Sequence, residues 1–366
     1  METSSAVKLY EEQSRVFWGT PSIGKKNNVG LILVNLGTPD NLDIDSIKKY
    51  LNEFLMDPYV VNLPEMVRNF LVKKLIIPFR AKKSLEAYTK IWTEKGSPLL
   101  VHSEALTSKI SMKFPNLNVS LAMRYSGKSI DDCYSDLIAQ GCRNILVLPL
   151  FPQYARATTG SIVAEVDKVY AKINIEHKVN CLPPFYNNDL FIKAWAQSIR
   201  SSVGYQQREH LVMSYHSLPV QQLADSNFGC RKSECFKSSP CPSFVNSQCY
   251  RAQCFATSRA IASQLGLSES EYTVAFQSKL GKAKWIKPVT VDVLTELAAK
   301  GMKNISVCCP SFVVDCLETI EEIGMQASML WKEHGGDNLN LIPCLNEQPL
   351  FVESLSEHIR MELSKL

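Results

Sequence analysis

The chain has 366 residues, of which 45% are hydrophobic and 21% charged, and its formal net charge is +4. This composition is typical of a globular protein and excludes disordered and fibrous classes, while the length allows two domains. The charge is too small to indicate a nucleic-acid-binding protein, although it allows anionic ligands or lipid head groups. No apolar run approaches the length of about 18 residues that a membrane span needs. The N-terminus carries Glu2, Glu11 and Glu12 and lacks a signal-peptide core, so we expect a cytoplasmic protein with reduced thiols.

Short apolar runs alternate with helical patterns along the chain. Residues 30–40, GLILVNLGTPD, form an apolar run that stops at Gly-Thr-Pro, which is typical of a buried parallel strand. Residues 43–57, DIDSIKKYLNEFLMD, follow with apolar residues at helical spacing. Further strands are predicted at NVSLAMRYS, RNILVLPLF, HKVNCLP, HLVMSYHSLP, YTVAFQSKL, KNISVCCPSF and LNLIPCLN. This alternation predicts an α/β fold with mostly parallel sheets covered on both faces.

One helix-strand unit occurs twice. DLIAQGCRNILVLP at 136–149 and ELAAKGMKNISVCCP at 296–310 match at a constant offset of 160 residues. In both, a helix ends at a glycine and a strand follows directly. Any two helix-strand units share some of this pattern, but the match favours two similarly built halves with a cleft between them. Ligands of such folds bind beyond the carboxyl ends of the strands.

Three groups of polar residues follow predicted strands. His216 in SYHSLP stands where a strand ends; a structural histidine is the common alternative to a base or metal ligand. On a helix, Asp315, Glu318 and Glu322 would share one stripe, which is either a solvated acidic face or a ladder for a hard cation or for protons. The loop LPLFPQYARATTGS at 148–161 is polar enough to bind carboxylates or phosphates. Neither GxGxxG nor GxxxxGK[ST] occurs, so no nucleotide cofactor is expected.

Nine segments in succession resemble the signature blocks of the ferrochelatases. These segments are GLILVNLGTPD, FLMDPYVV, IWTEKGSPL, AMRYS, LPLFPQYARATTGS, SYHSLP, CYRAQCFAT, FQSKLGKAKWIKP and CPSFVVDCLETIEE. The resemblance runs from about residue 29 to 350, in order. It implies a lyase that inserts ferrous iron into protoporphyrin IX to form haem, and two similar Rossmann-like domains with parallel sheets flanked by helices and an active-site cleft between them.

The resemblance also implies roles for individual residues. His216 and Glu318 are the expected catalytic and Fe²⁺-contacting pair, and Asp315 and Glu322 are the expected acidic relay for metal or protons. The expected porphyrin-binding residues are Tyr88, Ser97, Arg124, Tyr125, Trp285 and Phe312. These roles suit metallation, which must remove two pyrrole protons and deliver a divalent metal to a flat macrocycle in an apolar slot.

The predicted organisation has four parts. An N-terminal extension covers residues 1–28, and a first domain with a porphyrin lip covers 29–185. A second domain covers 186–337 and carries a cysteine-rich insertion at 222–254. A C-terminal strand and helix cover 338–366. In the lip, residues 61–83 place Met66, Phe70 and Leu71 among basic residues, here Arg68, Lys73, Lys74 and Arg80. Two interpretations explain this pattern equally well. The segment is either a core helix whose basic residues face water or a surface that makes peripheral contact with the inner face of a membrane.

The insertion holds five of the twelve cysteines within residues 230–254. Arg156 stands where animal-type ferrochelatases place a cluster cysteine, and no cysteine follows Asn346, so the chain resembles bacterial members with an internal cysteine-rich insertion. The absence of CxxC spacing disfavours structural zinc, and a cytoplasmic location disfavours disulfides. We therefore predict a [2Fe-2S] cluster on Cys230, Cys235, Cys241 and Cys249, with Cys254 as the alternative ligand; zinc or free thiols remain the competing interpretations.

Two other functions stay open at this point. One is a chelatase for another tetrapyrrole, such as coproporphyrin III. The other is a non-catalytic haem- or iron-binding sensor, which the presence of both His216 and Glu318 disfavours.

Overall fold

A computed structural model describes residues 4–13, 16–18, 28–223, 237, 241, 249–279 and 283–366. The chain divides into two compact units. Unit 1 comprises Met1–Phe151, Ala155–Pro184 and Leu355–Leu366, and unit 2 comprises Pro152–Tyr154 and Phe185–Ser354. The final residues therefore belong to unit 1, whereas the last predicted strand belongs to unit 2.

Unit 1 is built on a five-stranded sheet. Its strands are β1 (Val16–Trp18), β2 (Val29–Gly37), β3 (Asn118–Tyr125), β4 (Asn144–Pro149) and β5 (Lys178–Cys181). Their order is β1-β5-β4-β2-β3, in which β1 pairs antiparallel with β5 and the other four strands are parallel. The β2 residues Leu31 to Val34 are fully buried, as expected for a central strand covered on both faces.

Helices follow most strands of unit 1. Its α-helices are α1 (Ser5–Gln13), α2 (Ile44–Met56), α3 (Glu65–Phe70), α4 (Ile77–Ile91), α5 (Pro98–Lys113), α6 (Ile130–Ala139) and α7 (Ser161–Lys172), with π-helical turns at Leu71–Ile76 and Arg156–Gly160. Helix α2 begins at Ile44 because the Asp43 carboxylate accepts the backbone N–H groups of Asp45 and Ser46.

Unit 2 repeats this architecture with four parallel strands. They are β6 (His210–His216), β7 (Tyr272–Gln277), β8 (Asn304–Cys308) and β9 (Asn338–Leu341), in the order β7-β6-β8-β9. The helices are α8 (Asp189–Ser201), the 3₁₀ turn Tyr205–Gln207, α9 (Val220–Leu223), α10 (Tyr250–Leu265), α11 (Thr290–Ala299), the π-helix Glu318–Ala327 and α12 (Ser328–Glu333). The last helix, α13, spans Pro349–Leu363.

The internal repeat is confirmed in three dimensions. Helix α6 and strand β4 begin at Ile130 and Asn144, and α11 and β8 begin 160 residues later, at Thr290 and Asn304. The order β5-β4-β2-β3 in unit 1 equals β9-β8-β6-β7 in unit 2. Gly141 and Gly301 end the equivalent helices at φ of 89° and 87°, a left-handed conformation that favours glycine.

The predicted fold class is confirmed, and so are the eight predicted strands. The strand β1 was not predicted, because three residues are too few to establish an alternating pattern. Part of the segment expected to be an extension, α1 and β1, thus adds a helix and an edge strand to unit 1. Among the described residues, no helix is both long and apolar enough to cross a membrane.

Candidate active site

His216 is the last residue of β6 and is held by three hydrogen bonds. Its backbone N–H donates to Ser311 Oγ at 3.1 Å, and its carbonyl oxygen accepts the Tyr250 hydroxyl at 2.7 Å. The imidazole Nδ1 lies 2.6 Å from the carbonyl oxygen of Ser217, which can only accept, so in the neutral ring Nδ1 carries the proton and Nε2 carries the lone pair. The other β6 residues are buried, and His216 is half-buried. The strand end therefore presents a histidine of fixed tautomer.

Glu318 and Glu322 lie on the π-helix Glu318–Ala327, where a regular α-helix was expected. Wider i→i+5 turns of this kind are rare and occur frequently at functional sites. Both side chains are half-buried, whereas Glu321 is buried and accepts a 2.6 Å hydrogen bond from the Gln326 amide. Burial and this hydrogen bond thus distinguish Glu321 from Glu318 and Glu322.

Asp315 is a correction to the predicted stripe, because it lies in the loop before the π-helix. Its carboxylate accepts the Asn346 amide at 2.8 Å, the backbone N–H of Cys344 at 3.1 Å and the Thr319 hydroxyl at 3.3 Å. These bonds tie the loop to the segment after β9. In this arrangement Asp315 anchors the start of the acidic helix, and its expected part in a relay stays a prediction.

The ionisation of the Glu322 carboxyl depends on several neighbouring groups of the site. Burial is the main cause that raises the pKa of its carboxyl above the ordinary value. The Glu318 carboxylate raises this pKa further, whereas hydrogen bonds from Ser278 and the positive charge of the nearby His216 ring in its protonated form oppose the rise. The Glu318 carboxyl and the His216 imidazole therefore both lie within electrostatic range of the Glu322 carboxyl.

Three further residues lie near this group in the fold or in the chain. The Phe312 ring lies 6.3 Å from the His216 ring between centroids, so one predicted porphyrin-binding residue does lie beside the predicted catalytic histidine. Burial and the adjacent Glu318 carboxylate raise the pKa of the Cys316 thiol, which keeps this neighbour of Glu318 protonated. Trp285 is half-buried and pairs with Pro219, three residues after His216, through an isolated antiparallel bridge.

The remaining predicted porphyrin-binding residues belong to unit 1. Arg124 donates to Asp57 Oδ2 at 2.8 Å, Tyr125 donates to the same oxygen at 2.8 Å, and Ser161 donates to it at 2.6 Å. Arg124 also lies 3.3 Å from Glu165. Tyr125 is only 2% exposed, so this network fixes Arg124 and Tyr125 at the carboxyl end of β3.

Tyr88 and Ser97 are buried on neighbouring segments of unit 1. Tyr88 packs edge-on against Trp92 with ring centroids 5.9 Å apart, and Ser97 accepts the Thr38 hydroxyl at 2.8 Å. Thr38 directly follows β2, so Ser97 is fixed at the carboxyl end of that strand. Their contact with a porphyrin stays a prediction.

Of the predicted cluster ligands, Cys230 and Cys235 lie outside the described residues. Cys241 is buried, and its sulfur accepts a 2.8 Å hydrogen bond from the guanidinium of Arg251. Cys249 is the N-cap residue of α10, and Cys254 is fully buried in that helix. Within the part of the chain that the structure describes, no group of three or more His, Cys, Asp or Glu residues is arranged to hold a metal ion.

Sequence reasoning missed Gln277, Ser278 and Cys316, which lie beside the acidic helix of unit 2, and it missed Asp57, which binds Arg124 and Tyr125 in unit 1. Asp57 had a detectable signal, because a carboxylate at the C-terminal end of α2 opposes the helix dipole and requires partners elsewhere. Ser278 had a weaker one, since it directly follows β7 as Ser126 directly follows β3. Gln277 and Cys316 had none.

The fold and this site define a class: a chelatase-type α/β protein with a histidine and two carboxylates at the carboxyl end of a parallel sheet. The solved structure of SirB from Bacillus subtilis with Fe³⁺ has a similar fold, with a TM-score of 0.52 and 13% identity over 74% of this chain and 92% of SirB. The ferrochelatase family profile matches residues 28–363, so the chain belongs to the ferrochelatase family and is a metal-inserting enzyme of haem synthesis. Curated ferrochelatases from Coxiella burnetii (strain CbuK_Q154) and Legionella pneumophila (strain Paris) are each 42% identical, over 93% and 91% of this chain and 96% and 99% of their own lengths.

Proposed function

We propose that the enzyme inserts Fe²⁺ into protoporphyrin IX and so forms protohaem in the last step of haem biosynthesis. The observation that carries this proposal is the His216 tautomer, which leaves Nε2 as a base at the carboxyl end of β6 within electrostatic range of Glu322. Family membership supplies the reaction class. The particular metal and tetrapyrrole are the proposed part.

The reaction exchanges two protons for one metal ion. Each pyrrole N–H must lose its proton as Fe²⁺ binds the four ring nitrogens, so two protons leave for every haem formed. His216 Nε2 accepts a pyrrole proton, and Glu318 contacts the incoming metal as a hard oxygen ligand. Glu322 holds a proton more readily than an ordinary carboxyl because its pKa is raised, which suits it to pass protons onward.

Anaerobic incubation of the purified protein with Fe²⁺ and protoporphyrin IX, without nucleotide, tests this function. We expect the porphyrin absorption bands to be replaced by those of haem. Parallel incubations with coproporphyrin III identify the preferred tetrapyrrole, and a higher kcat/KM with that substrate would contradict the protoporphyrin assignment. Binding of haem without metallation of either porphyrin would instead indicate a sensor.

We also propose that the lip of unit 1, residues 61–83, touches a membrane surface at the cytoplasmic face. Five apolar side chains of the lip are exposed: Met66 at 87%, Phe79 at 77%, Phe70 at 62%, Val67 at 52% and Leu75 at 45%. Lys73 and Lys74 are exposed beside them, which suits an anionic bilayer. Arg68, expected on this basic face, is instead buried and donates to the carbonyl oxygen of Leu63 at 2.8 Å.

The cysteine-rich insertion is proposed to hold a [2Fe-2S] cluster on Cys230, Cys235, Cys241 and Cys249. The donor set of thiolates suits such a cluster, and the Arg251 guanidinium at Cys241 supplies the hydrogen-bond donor that stabilises a metal-bound thiolate. When bound, the cluster would serve a structural or redox-sensing role. Metal insertion itself transfers no electrons, so no step of the proposed reaction depends on it.

A further inference from the structure

Gln277, the last residue of β7, contacts the π-helix of the site through its side-chain amide. Its Nε2 donates to the carbonyl oxygen of Glu318 at 2.7 Å, and the same nitrogen lies 3.4 Å from Glu322 Oε2. The side chain is 3% exposed, so water does not compete for these bonds. One buried amide thus joins the end of a strand to the residues that carry both carboxylates.

The other end of this amide is fixed by a directional chain of hydrogen bonds. Gln277 Oε1 accepts the Ser214 hydroxyl at 2.7 Å. Because that bond uses the single hydroxyl hydrogen of Ser214, the Thr290 hydroxyl must be the donor in the 2.8 Å contact between the two. Ser214 and Thr290 are buried on β6 and α11. A flip of the Gln277 amide would place Oε1 against the carbonyl oxygen of Glu318, where neither atom can donate, so the bond to Glu318 fixes the orientation of the amide.

Ser278 adds a second contact to the same helix. Its backbone adopts a left-handed conformation with φ of 64°, which is uncommon for a residue with a side chain. In this conformation its N–H donates to Glu322 Oε1 at 2.7 Å and its hydroxyl donates to Oε2 at 2.5 Å. In unit 1 the equivalent Ser126 has φ of 55°, and its N–H donates to a helical carboxylate, Glu53, at 2.6 Å. In both units, a left-handed serine after a strand thus donates its N–H to a helical carboxylate, and in unit 2 that carboxylate is Glu322 of the candidate site.

We propose that Gln277 and Ser278 form a clamp that positions Glu318 and Glu322 relative to His216 for metal insertion. His216 and Gln277 are register partners on β6 and β7, so the same pair of strands sets the histidine and the clamp. This inference rests on the proposed function, because it takes Glu318 and His216 as the working pair. Gln277 and Ser278 act through the two glutamates and are positioning residues.

The variant Gln277→Met keeps the side-chain volume and removes both ends of the amide. We expect kcat for metal insertion to fall about tenfold or more, with KM for the porphyrin unchanged, because partners of metal-contacting residues have effects of that size. Hydrogen exchange followed by mass spectrometry should show faster exchange in the peptide covering residues 318–327. Gln326→Met is the matched control, since its exposed glutamine lies on the same helix and binds Glu321; it should retain kcat and the slow exchange.

The two readouts separate failure of the clamp from failure of the proposed function. Unchanged kcat and unchanged exchange in Gln277→Met would overturn the clamp. If the wild-type protein metallates no porphyrin, the proposed function fails and the exchange of residues 318–327 alone decides the clamp. Should Gln277→Met not fold, Ser278→Ala replaces it: this variant keeps the backbone N–H, loses the hydroxyl bond to Glu322, and should lower kcat with KM unchanged. Wild-type kcat and exchange in that folded variant would equally overturn the clamp.

Discussion

The imidazole Nδ1 of His216 donates to the carbonyl oxygen of Ser217 at 2.6 Å. This bond fixes the tautomer, because the proton must reside on Nδ1 while the bond exists. It leaves the Nε2 lone pair as the group that can take a proton or contact a metal. The backbone of the histidine is held from both sides, by Ser311 and by Tyr250.

Replacement of His216 by alanine should lower kcat for metal insertion by about 10²-fold or more, the effect of losing a positioned acid-base group. The rate of haem formation under anaerobic conditions measures this. His334→Ala is the control, because His334 is an exposed histidine on the same unit. Near-normal turnover of His216→Ala would remove the role assigned to His216.

Glu318 and Glu321 are expected to respond differently to the same change. Glu318→Gln should lower kcat by about 10²-fold, because it removes the carboxylate that we propose contacts the metal. Glu321→Gln should retain turnover, since Glu321 is 3% exposed and accepts its bond from Gln326. The same assay with both variants decides between them. If Glu321→Gln lost its activity while Glu318→Gln retained it, the roles assigned to these two glutamates would be reversed.

The sequence pattern predicted the strands well and the acidic helix only in part. Apolar runs such as residues 30–36 have one stable solution in an α/β fold, namely a strand buried on both faces. The spacing of Asp315, Glu318 and Glu322 also fits an α-helix, and nothing in the residue types shows that a π-helix begins at Glu318. Asp315 leaves the helix because Asn346 and the backbone of Cys344, about 30 positions further along the chain, bind its carboxylate. Such long-range partners have no local signal, and the same holds for the bond between Gln277 and Glu318.

His210, at the start of β6, should make folding stability depend on pH. Burial lowers the pKa of its imidazole, and the positive charges of Lys300 and Arg208 lower it further, while Glu271 opposes them. The unfolded histidine titrates near its ordinary pKa of about 6.5. As pH falls below that value, the unfolded chain binds a proton that the folded protein resists, so this contribution to stability is present above that value and is lost as pH falls through the folded-state pKa.

The variant His210→Gln removes this dependence. Urea unfolding between neutral pH and pH 5 should show that the wild-type free energy of unfolding decreases relative to that of the variant as pH falls. The exposed His334→Gln variant should follow the wild type throughout. A constant difference between wild type and His210→Gln across this range would contradict the prediction.

The exposed apolar side chains of the lip should determine binding to vesicles. We expect the double variant Phe70→Ser, Phe79→Ser to lose most of its cosedimentation with phosphatidylglycerol–phosphatidylcholine vesicles, because both phenylalanines are largely exposed beside Lys73 and Lys74. Val203→Ser is the control, since Val203 is 90% exposed on unit 2. Equal binding of the double variant and the wild type would exclude the lip as the membrane contact.

The cysteine-rich insertion gives the last prediction. Protein purified without oxygen should be reddish-brown, with visible charge-transfer bands and about two irons per chain, as four thiolates around a [2Fe-2S] centre require. Cys241→Ser should lose this colour, because it removes a predicted ligand whose sulfur accepts a hydrogen bond from the buried Arg251. Cys142→Ser is the control, since Cys142 is a buried cysteine of unit 1 that accepts a hydrogen bond from Asn118. If Cys241→Ser kept its full iron content and Cys254→Ser lost its iron, Cys254 would be the ligand instead, which is the alternative ligand set. If the wild-type protein is colourless, with zinc or without metal, the prediction of a cluster is wrong. The metal-inserting activity is tested separately by its own assay.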